Sequence, residues 1–479
     1  MKRLHGTSPG ETLASIVGRS PVVVGESASL RSALHLMDKE RVGSVVVVEG
    51  ADRPLGIVTL QDVLRRVALP GADLEWPVTE VMSRDIQCLP GSAGTYEAVL
   101  LMSRRRFRHL PVVDEQGRLI GVVSRNQLND PLGGRVDHLT RRIGEARDAV
   151  QLAELAPEIR AIALDLVGRD AGAGLLTRVL SGLNDLLTER VIAIVEARHR
   201  LPPASWAWIA FGSEGRYEQT FATDQDNGII FSAAGEAEAK ALRGLFAGFA
   251  RDVNDALDRC GFPLCPGNVM AGNEKWCLSL EEWRQRFSSW IRTPEPEALL
   301  NATIFFDFRT LHGDAVLADT LAAHLRELAP GAGAFLHMLA ANALAAAPPL
   351  GVFRDFAPED DALGRVDLKK FGSRIFVDAA RVYGLAAGSR AAGTVARLRD
   401  AGPAMQISSG DVEASVQAFH HLQRIRLSHQ HACLAGGRPA DNLVDPEQLN
   451  PLDRRVLVES LKQARRLQVC LKQTFRLEG

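Results

Sequence analysis

The chain is poor in cysteine: Cys88, Cys260, Cys265, Cys277, Cys433 and Cys470 are the six in 479 residues, and no two form a Cys-x-x-Cys pair. That excludes a disulfide scaffold and a zinc ribbon. Cys260, Cys265 and Cys277 come nearest to a ligand set, but no fourth ligand stands at a suitable spacing and Pro-Gly follows Cys265 directly. Free thiols in a reducing cytoplasm are the simple reading. Net charge is also lacking, with 56 Lys and Arg against 58 Asp and Glu. No basic field therefore points to a nucleic-acid partner. Long apolar runs are missing as well. Residues 1–20 include His5, Glu11 and Arg19 and have no apolar core of signal-peptide length. Residues 333–352 include His337, Asn342 and two prolines, which suits a packed Ala-rich helix and not a membrane span. We expect a cytoplasmic protein without membrane contact.

What is present is one dense stretch, residues 209–231, Ile-Ala-Phe-Gly-Ser-Glu-Gly-Arg-Tyr-Glu-Gln-Thr-Phe-Ala-Thr-Asp-Gln-Asp-Asn-Gly-Ile-Ile-Phe. An apolar run containing Trp206, Trp208, Ile209 and Phe211 reads as a buried strand, breaks at Gly212-Ser213, and is answered by a second run at 229–231. Asp224 and Asp226 lie between. Two residues apart on an extended chain, their side chains point to one side, ~6.5–7 Å apart at the backbone. Paired carboxylates suit Mg²⁺, which takes its other ligands from water and substrate phosphates. Gly212 permits close approach of a bound group, Ser213 offers a hydroxyl and an amide at a helix start, and Arg216 follows one turn on. An Asp-rich turn between two core strands is the bland alternative.

The spacing of Gly-Ser from Asp-x-Asp resembles the signature of the nucleotidyltransferase superfamily. That superfamily includes DNA polymerase beta, aminoglycoside nucleotidyltransferases, and the uridylyltransferase and adenylyltransferase of bacterial nitrogen regulation. The longer string Gly-Ser-Glu-Gly-Arg-x-Glu-Gln-Thr-x-x-Thr-Asp-Gln-Asp-Asn-Gly is similar to bacterial members fused to CBS pairs. The resemblance implies Asp224 and Asp226 as catalytic metal ligands, with Gly212, Ser213, Arg216, Thr223 and Asn268 near the nucleotide. It also implies a third carboxylate on a later strand, for which Asp307 in Ala-Thr-Ile-Phe-Phe-Asp-Phe-Arg is the candidate. Pairing of Asp307 with Arg309 or another base is the structural alternative.

Residues 14–70 and 78–130 repeat one order of events: extended start, helix, valine run, turn, Gly-led strand, helix. Such halves bury their apolar faces on each other. With Val-Met-Ser-Arg-Asp (81–85) and Arg-His-Leu-Pro-Val-Val (108–113) they resemble a tandem CBS pair. That family binds adenosine compounds, AMP, ADP or ATP, through a Gly-h-h-Thr/Ser-x-x-Asp ribose motif. The first repeat keeps it at Thr59 and Asp62; the second has Ser124 but Gln127. Arg106, Arg108 and His109 offer charge to a phosphate. Helix capping is the competing role for Thr59 and Asp62.

Residues 137–200 show helical periodicity around a Gly-rich break and read as a connector. Residues 236–260 read as a long helix. The run 261–273 carries Asn268 and is rich in Gly and Pro, and we expect it to line the cleft opposite Asp224 and Asp226. Trp276, Trp283 and Trp290, seven apart, read as one buried helix face. From 320 to 479 the chain reads as helices, similar to the substrate-binding domain of the same branch. There Lys369, Lys370 and Arg374 are either phosphate ligands or a solvated face. His420, His421, His429 and His431 lack carboxylate neighbours in sequence and read as ordinary residues.

The expected fold is thus multidomain, α/β plus all-α: a CBS pair at 14–130, a helical connector at 137–200, a polymerase-beta-like domain at 201–318 and a helical bundle at 320–479. The expected function is Mg²⁺-dependent transfer of a nucleoside monophosphate from ATP or another nucleoside triphosphate to a protein or small-molecule acceptor. Adenosine nucleotide at the CBS pair would regulate it, in a homodimer. A non-catalytic nucleotide sensor is the alternative, favoured by Gln225 standing where an apolar residue commonly separates the two acids.

Overall fold

The computed structural model describes residues 12–477 apart from 19, 51, 106, 129–130, 169–171 and 352–363, so Arg106 lies outside the described residues. The chain divides into two compact units, one of residues 1–141 with 169–171, the other of 142–168 with 172–479.

The first unit holds the two repeats. In each, a short strand pairs parallel with a central strand that pairs antiparallel with a third, giving two three-stranded sheets. The central strand Ser44–Glu49 is buried over its first four residues because both its faces are covered, which is why it reads as unbroken valine. Leu30, Ala33 and Met37 of the helix Leu30–Lys39 pack into the same core. The repeats also exchange backbone bonds, Ile57 with Ser83 in both directions at 3.1 and 2.9 Å.

The second unit is built on a four-stranded sheet in the order Phe308–Gly313, Trp206–Phe211, Asn227–Phe231, Cys277–Ser279. The first two junctions are antiparallel and the last is parallel. Ile209, Phe211 and Ile230 share one core with Trp283, Phe287 and Phe305, and that core runs on through Phe376, Phe419 and Leu461 of the C-terminal helices. On other aromatic contacts of the sheet, Trp208 meets Phe249 and Phe231 meets Phe246, both from the helix Glu236–Arg259. The expected connector helices are Ala149–Gly168 and Ala173–Glu196. Both pack with the Glu236–Arg259 helix, inside this second unit.

Two local expectations change. Only Trp283 and Trp290 lie on the helix Leu280–Arg292; Trp276 ends a 3₁₀ turn before it, held by its indole N–H on the Asn268 carbonyl at 3.0 Å. The run around Asp307 is both of the forms its apolar pattern allowed: a helix Pro296–Phe305, then a strand Phe308–Gly313, with Asp307 at the joint. Among the described residues no helix is long and apolar enough to cross a membrane.

Candidate active site

The Asp-x-Asp segment is extended chain entering the strand Asn227–Phe231, and the Phe211 N–H donates to the Asp226 carbonyl at 2.9 Å. Gln225 points away from the acids into a buried polar network. Its amide donates to the carbonyls of Asn254 and Phe262, both at 2.9 Å, and its carbonyl accepts from Asn254 at 2.8 Å. Asn254 also donates to Asn227, whose side-chain oxygen takes the Ala271 N–H at 2.9 Å. A buried amide with each of these partners satisfied fixes its neighbours in place. Gln225 therefore anchors the acidic pair in the way an apolar residue would by packing.

Alternation leaves Asp224 and Asp226 on the other side, where Cys265 joins them; one ligand atom from each lies within 4.8 Å of the others. The Cys265 thiol donates to Asp226 at 3.3 Å. Burial and the Asp224 charge push the Asp226 carboxyl up to about 6, opposed by the Cys265 hydrogen bond and the charges of Lys369 and Arg216. Gly212 has φ +56, and a Cβ there would lie 3.2 Å from Asp226 Oδ2. A side chain would thus cost both backbone strain and contact with the acid. Ser213 lies within the single turn Gly212–Gly215 beside the pair, and Thr223 flanks it. Asn268 takes φ +54 in the 261–273 run and orders that run through its carbonyl, which accepts from Asn273 and Trp276. Cys265, not Asn268, is the residue of the run that touches the acids. The thiol could not be chosen from sequence because its neighbour lies 39 residues away.

Asp307 is not brought to the acidic pair, which corrects the expectation of a third ligand there. Its side chain is fully buried and held by three guanidinium groups: Arg216 at 2.6 Å, Arg381 at 2.7 Å, and Arg397. Despite burial, these charges hold its carboxyl far below the usual range. Arg216 is fixed further by Glu218 at 2.8 Å, and Glu218 in turn accepts from the Thr394 N–H at 2.7 Å and its hydroxyl at 3.0 Å. The expected pairing of Arg309 goes instead to Asp185 at 2.6 Å, while its guanidinium lies 3.9 Å above the Tyr217 ring. Glu214 beside them is pushed up to about 8 by burial and by Asp185, with Arg309 opposing.

Lys369, placed by its N–H on Asp367 at 2.9 Å, contributes charge to Asp226. His429 corrects the expectation for the histidines: it has a carboxylate neighbour, Asp441, at 2.7 Å.

In the first unit, Thr59 and Asp62 form a reciprocal cap. Asp62 Oδ2 accepts from the Thr59 N–H at 2.9 Å and its hydroxyl at 2.6 Å, while the Asp62 N–H donates to Thr59 at 3.3 Å. Gln127 repeats half of this with an amide oxygen, taking the Ser124 N–H and hydroxyl, both at 2.8 Å. His109 packs over Gly43, whose carbonyl accepts the Leu60 N–H, so it comes from the second repeat to the first repeat's motif. Its Nδ1 is buried without a hydrogen-bond partner. Burial, then the Arg108 charge, lower its pKa. Arg108 itself is exposed.

Comparison with known proteins decides the family. Models described as "Putative nucleotidyltransferase DUF294" and "Putative nucleotidyltransferase substrate binding domain" match residues 157–297 and 333–475, together more than half of the chain. The chain belongs to the DUF294 nucleotidyltransferase family. The CBS domain model matches residues 13–69 and 78–130, completing the expected architecture. Among curated relatives, an uncharacterised protein of Methanopyrus kandleri is 34% identical over 114 residues, 22% of this chain and 56% of that one. The CBS domain-containing protein YhcV of Bacillus subtilis is 32% identical over 105 residues, 22% of this chain and 74% of that one. The chain thus spans about half the length of the first and three quarters of the second. A solved CBS domain protein from Pyrobaculum aerophilum, complexed with AMP, is 30% identical over 24% of this chain and 88% of that one, with a TM-score of 0.23.

Proposed function

We propose that this DUF294 protein is a Mg²⁺-dependent nucleotidyltransferase that moves a nucleoside monophosphate from a nucleoside triphosphate, ATP among the candidates, to a hydroxyl on a protein or small molecule. The observation that carries the reading is the Asp224–Asp226 pair, two acids with ligand oxygens within 4.8 Å of each other, Asp226 crowded against Gly212. Their close oxygens fit a hard divalent cation, and burial raises Asp226 until such charge is supplied. When bound, the cation would supply charge to the triphosphate and the leaving group. Gly212 clears space for phosphate oxygens, Ser213 donates to them, and Lys369 and Arg216 add positive charge on the same side. Arg216 does not swing, because Asp307 and Glu218 hold it. In the transfer, the acceptor oxygen forms a bond to the α-phosphorus, the bond to the bridging oxygen breaks, and pyrophosphate leaves. The acceptor hydroxyl gives up its proton to water as the new bond forms.

Adenosine nucleotide at the first CBS repeat would bind through Thr59, Asp62 and the unpartnered His109, with Arg108 at the phosphate. Such a ligand regulates only through unequal affinity for two states of the chain. The reading includes a homodimer, which light scattering checks.

A non-catalytic sensor is the second reading, favoured by the capture of Asp307 by three arginines. Incubation of the protein with Mg²⁺ and each α-labelled nucleoside triphosphate, with and without lysate, separates the two. Transfer of label that is lost in D224N/D226N supports the enzyme; nucleotide binding with no transfer under any of these conditions supports the sensor.

A further inference from the structure

A second cluster of metal-ligating side chains lies at the end of the helix Ser409–Ala435. His429 and Cys433 are four residues apart and so share a helix face. Asp441 comes from the loop that enters the short strand Leu443–Val444, aimed by its acceptance of the Leu443 N–H at 2.9 Å. The ligand atoms of all three lie within 4.8 Å of one another.

Both contacts of the histidine fall on one nitrogen. Nε2 lies 2.7 Å from Asp441 Oδ1 and 3.4 Å from Cys433 Sγ. A proton on Nε2 serves the carboxylate but leaves no lone pair to accept from the thiol; without that proton the imidazole and the carboxylate meet lone pair to lone pair. One cation at the point of convergence satisfies all three ligands at once. Zinc-type bonds of ~2.0–2.3 Å to nitrogen, oxygen and sulfur require only that the closest pair open by less than about 1 Å. A thiolate beside an imidazole selects a soft or borderline ion over Mg²⁺.

We propose that His429, Cys433 and Asp441 form a binding site for a zinc-type divalent cation, separate from the acidic pair, that clamps the helix end to the loop 436–443. His429 and Asp441 are half-buried, which leaves a fourth position for water, while Cys433 is fully buried. The clamp acts on more than the loop. The side-chain oxygen of Asn442, next to Asp441, accepts from Gln430 at 3.1 Å, and Gln430 accepts the Phe221 N–H at 3.1 Å. Asn442 also accepts the Leu368 N–H at 3.0 Å through its carbonyl, next to Lys369. The cation therefore fixes the loop that buttresses the chain on either side of the candidate active site.

The test is titration of the full reduced chain with Co²⁺, followed by its near-ultraviolet thiolate-to-cobalt absorption. We expect one Co²⁺ per chain, displaced by Zn²⁺ and not by Mg²⁺. The absorption should vanish in C433S, persist in C265S, and require at least tenfold more Co²⁺ in D441N. Zn²⁺ should also raise the thermal midpoint of the unaltered chain, a readout that needs no variant to fold. Absence of the absorption in the unaltered chain, its persistence in folded C433S, or its loss in C265S alone overturns the proposal.

Discussion

Asp307 and the pair Asp224–Asp226 lie in one compact unit, leading into the two strands that flank Trp206–Phe211, yet they stand in opposite electrostatic states. Asp307 is fully buried and surrounded by Arg216, Arg381 and Arg397, so its charge is settled within the fold. The pair has each other's charge to bear, and burial together with the Asp224 charge raises Asp226 to about 6. A carboxylate already neutralised by the protein is structural; a pair left with excess negative charge is prepared for a cation from outside. Arg216 links the two, because it is held by Asp307 while its charge is felt by Asp226.

Substitutions that break this contrast have graded effects. The largest concerns activity: D224N/D226N should reduce label transfer to background while leaving the urea midpoint unchanged or raised, since mutual repulsion is removed. D307N should do the reverse. It leaves three buried guanidinium groups short of a partner and should destabilise the chain by about 3–5 kcal/mol, read from urea unfolding. Glu214 is an intermediate case, with its pKa raised from 4.5 to about 8. A raised acid stabilises the fold fully below its unfolded value and loses that contribution as pH rises through the folded one. E214Q should therefore gain stability over the unaltered chain between pH 5 and pH 9, by on the order of a few kcal/mol, in parallel unfolding curves. The smallest effect belongs to Asp62, whose charge is spent on a local cap. D62N should weaken AMP binding roughly tenfold in calorimetry, the value of one charged hydrogen bond, whereas Q127A should change it little.

Sequence shows well what lies close along the chain. Strand, Gly-Ser, Asp-x-Asp and strand fall within 26 residues, and the CBS repeats announce themselves by their order, so both were legible along with the family. The partners of Asp307 were not: Arg381 and Arg397 come from 74 and 90 residues away, and nothing in the Phe-Phe-Asp-Phe run selects them. Nor was Asp441 legible as the neighbour of His429, because a loop turn closes that distance. Gln225 misled for a different reason. Its polarity looked like a departure from the family pattern, but Asn254 and Asn227 satisfy it in a buried network. The seven-residue spacing of the tryptophans was broken by the Ser279 cap, which starts the helix after Trp276.

The claim that the acidic pair awaits an external cation is tested most directly by calorimetric titration of Mg²⁺ with a non-hydrolysable nucleoside triphosphate into the full chain. Runs on D224N/D226N and on the CBS variant D62N complete the measurement. The account predicts Mg²⁺-dependent nucleotide binding that D62N retains and D224N/D226N loses. Equal binding by the unaltered chain and D224N/D226N would contradict it.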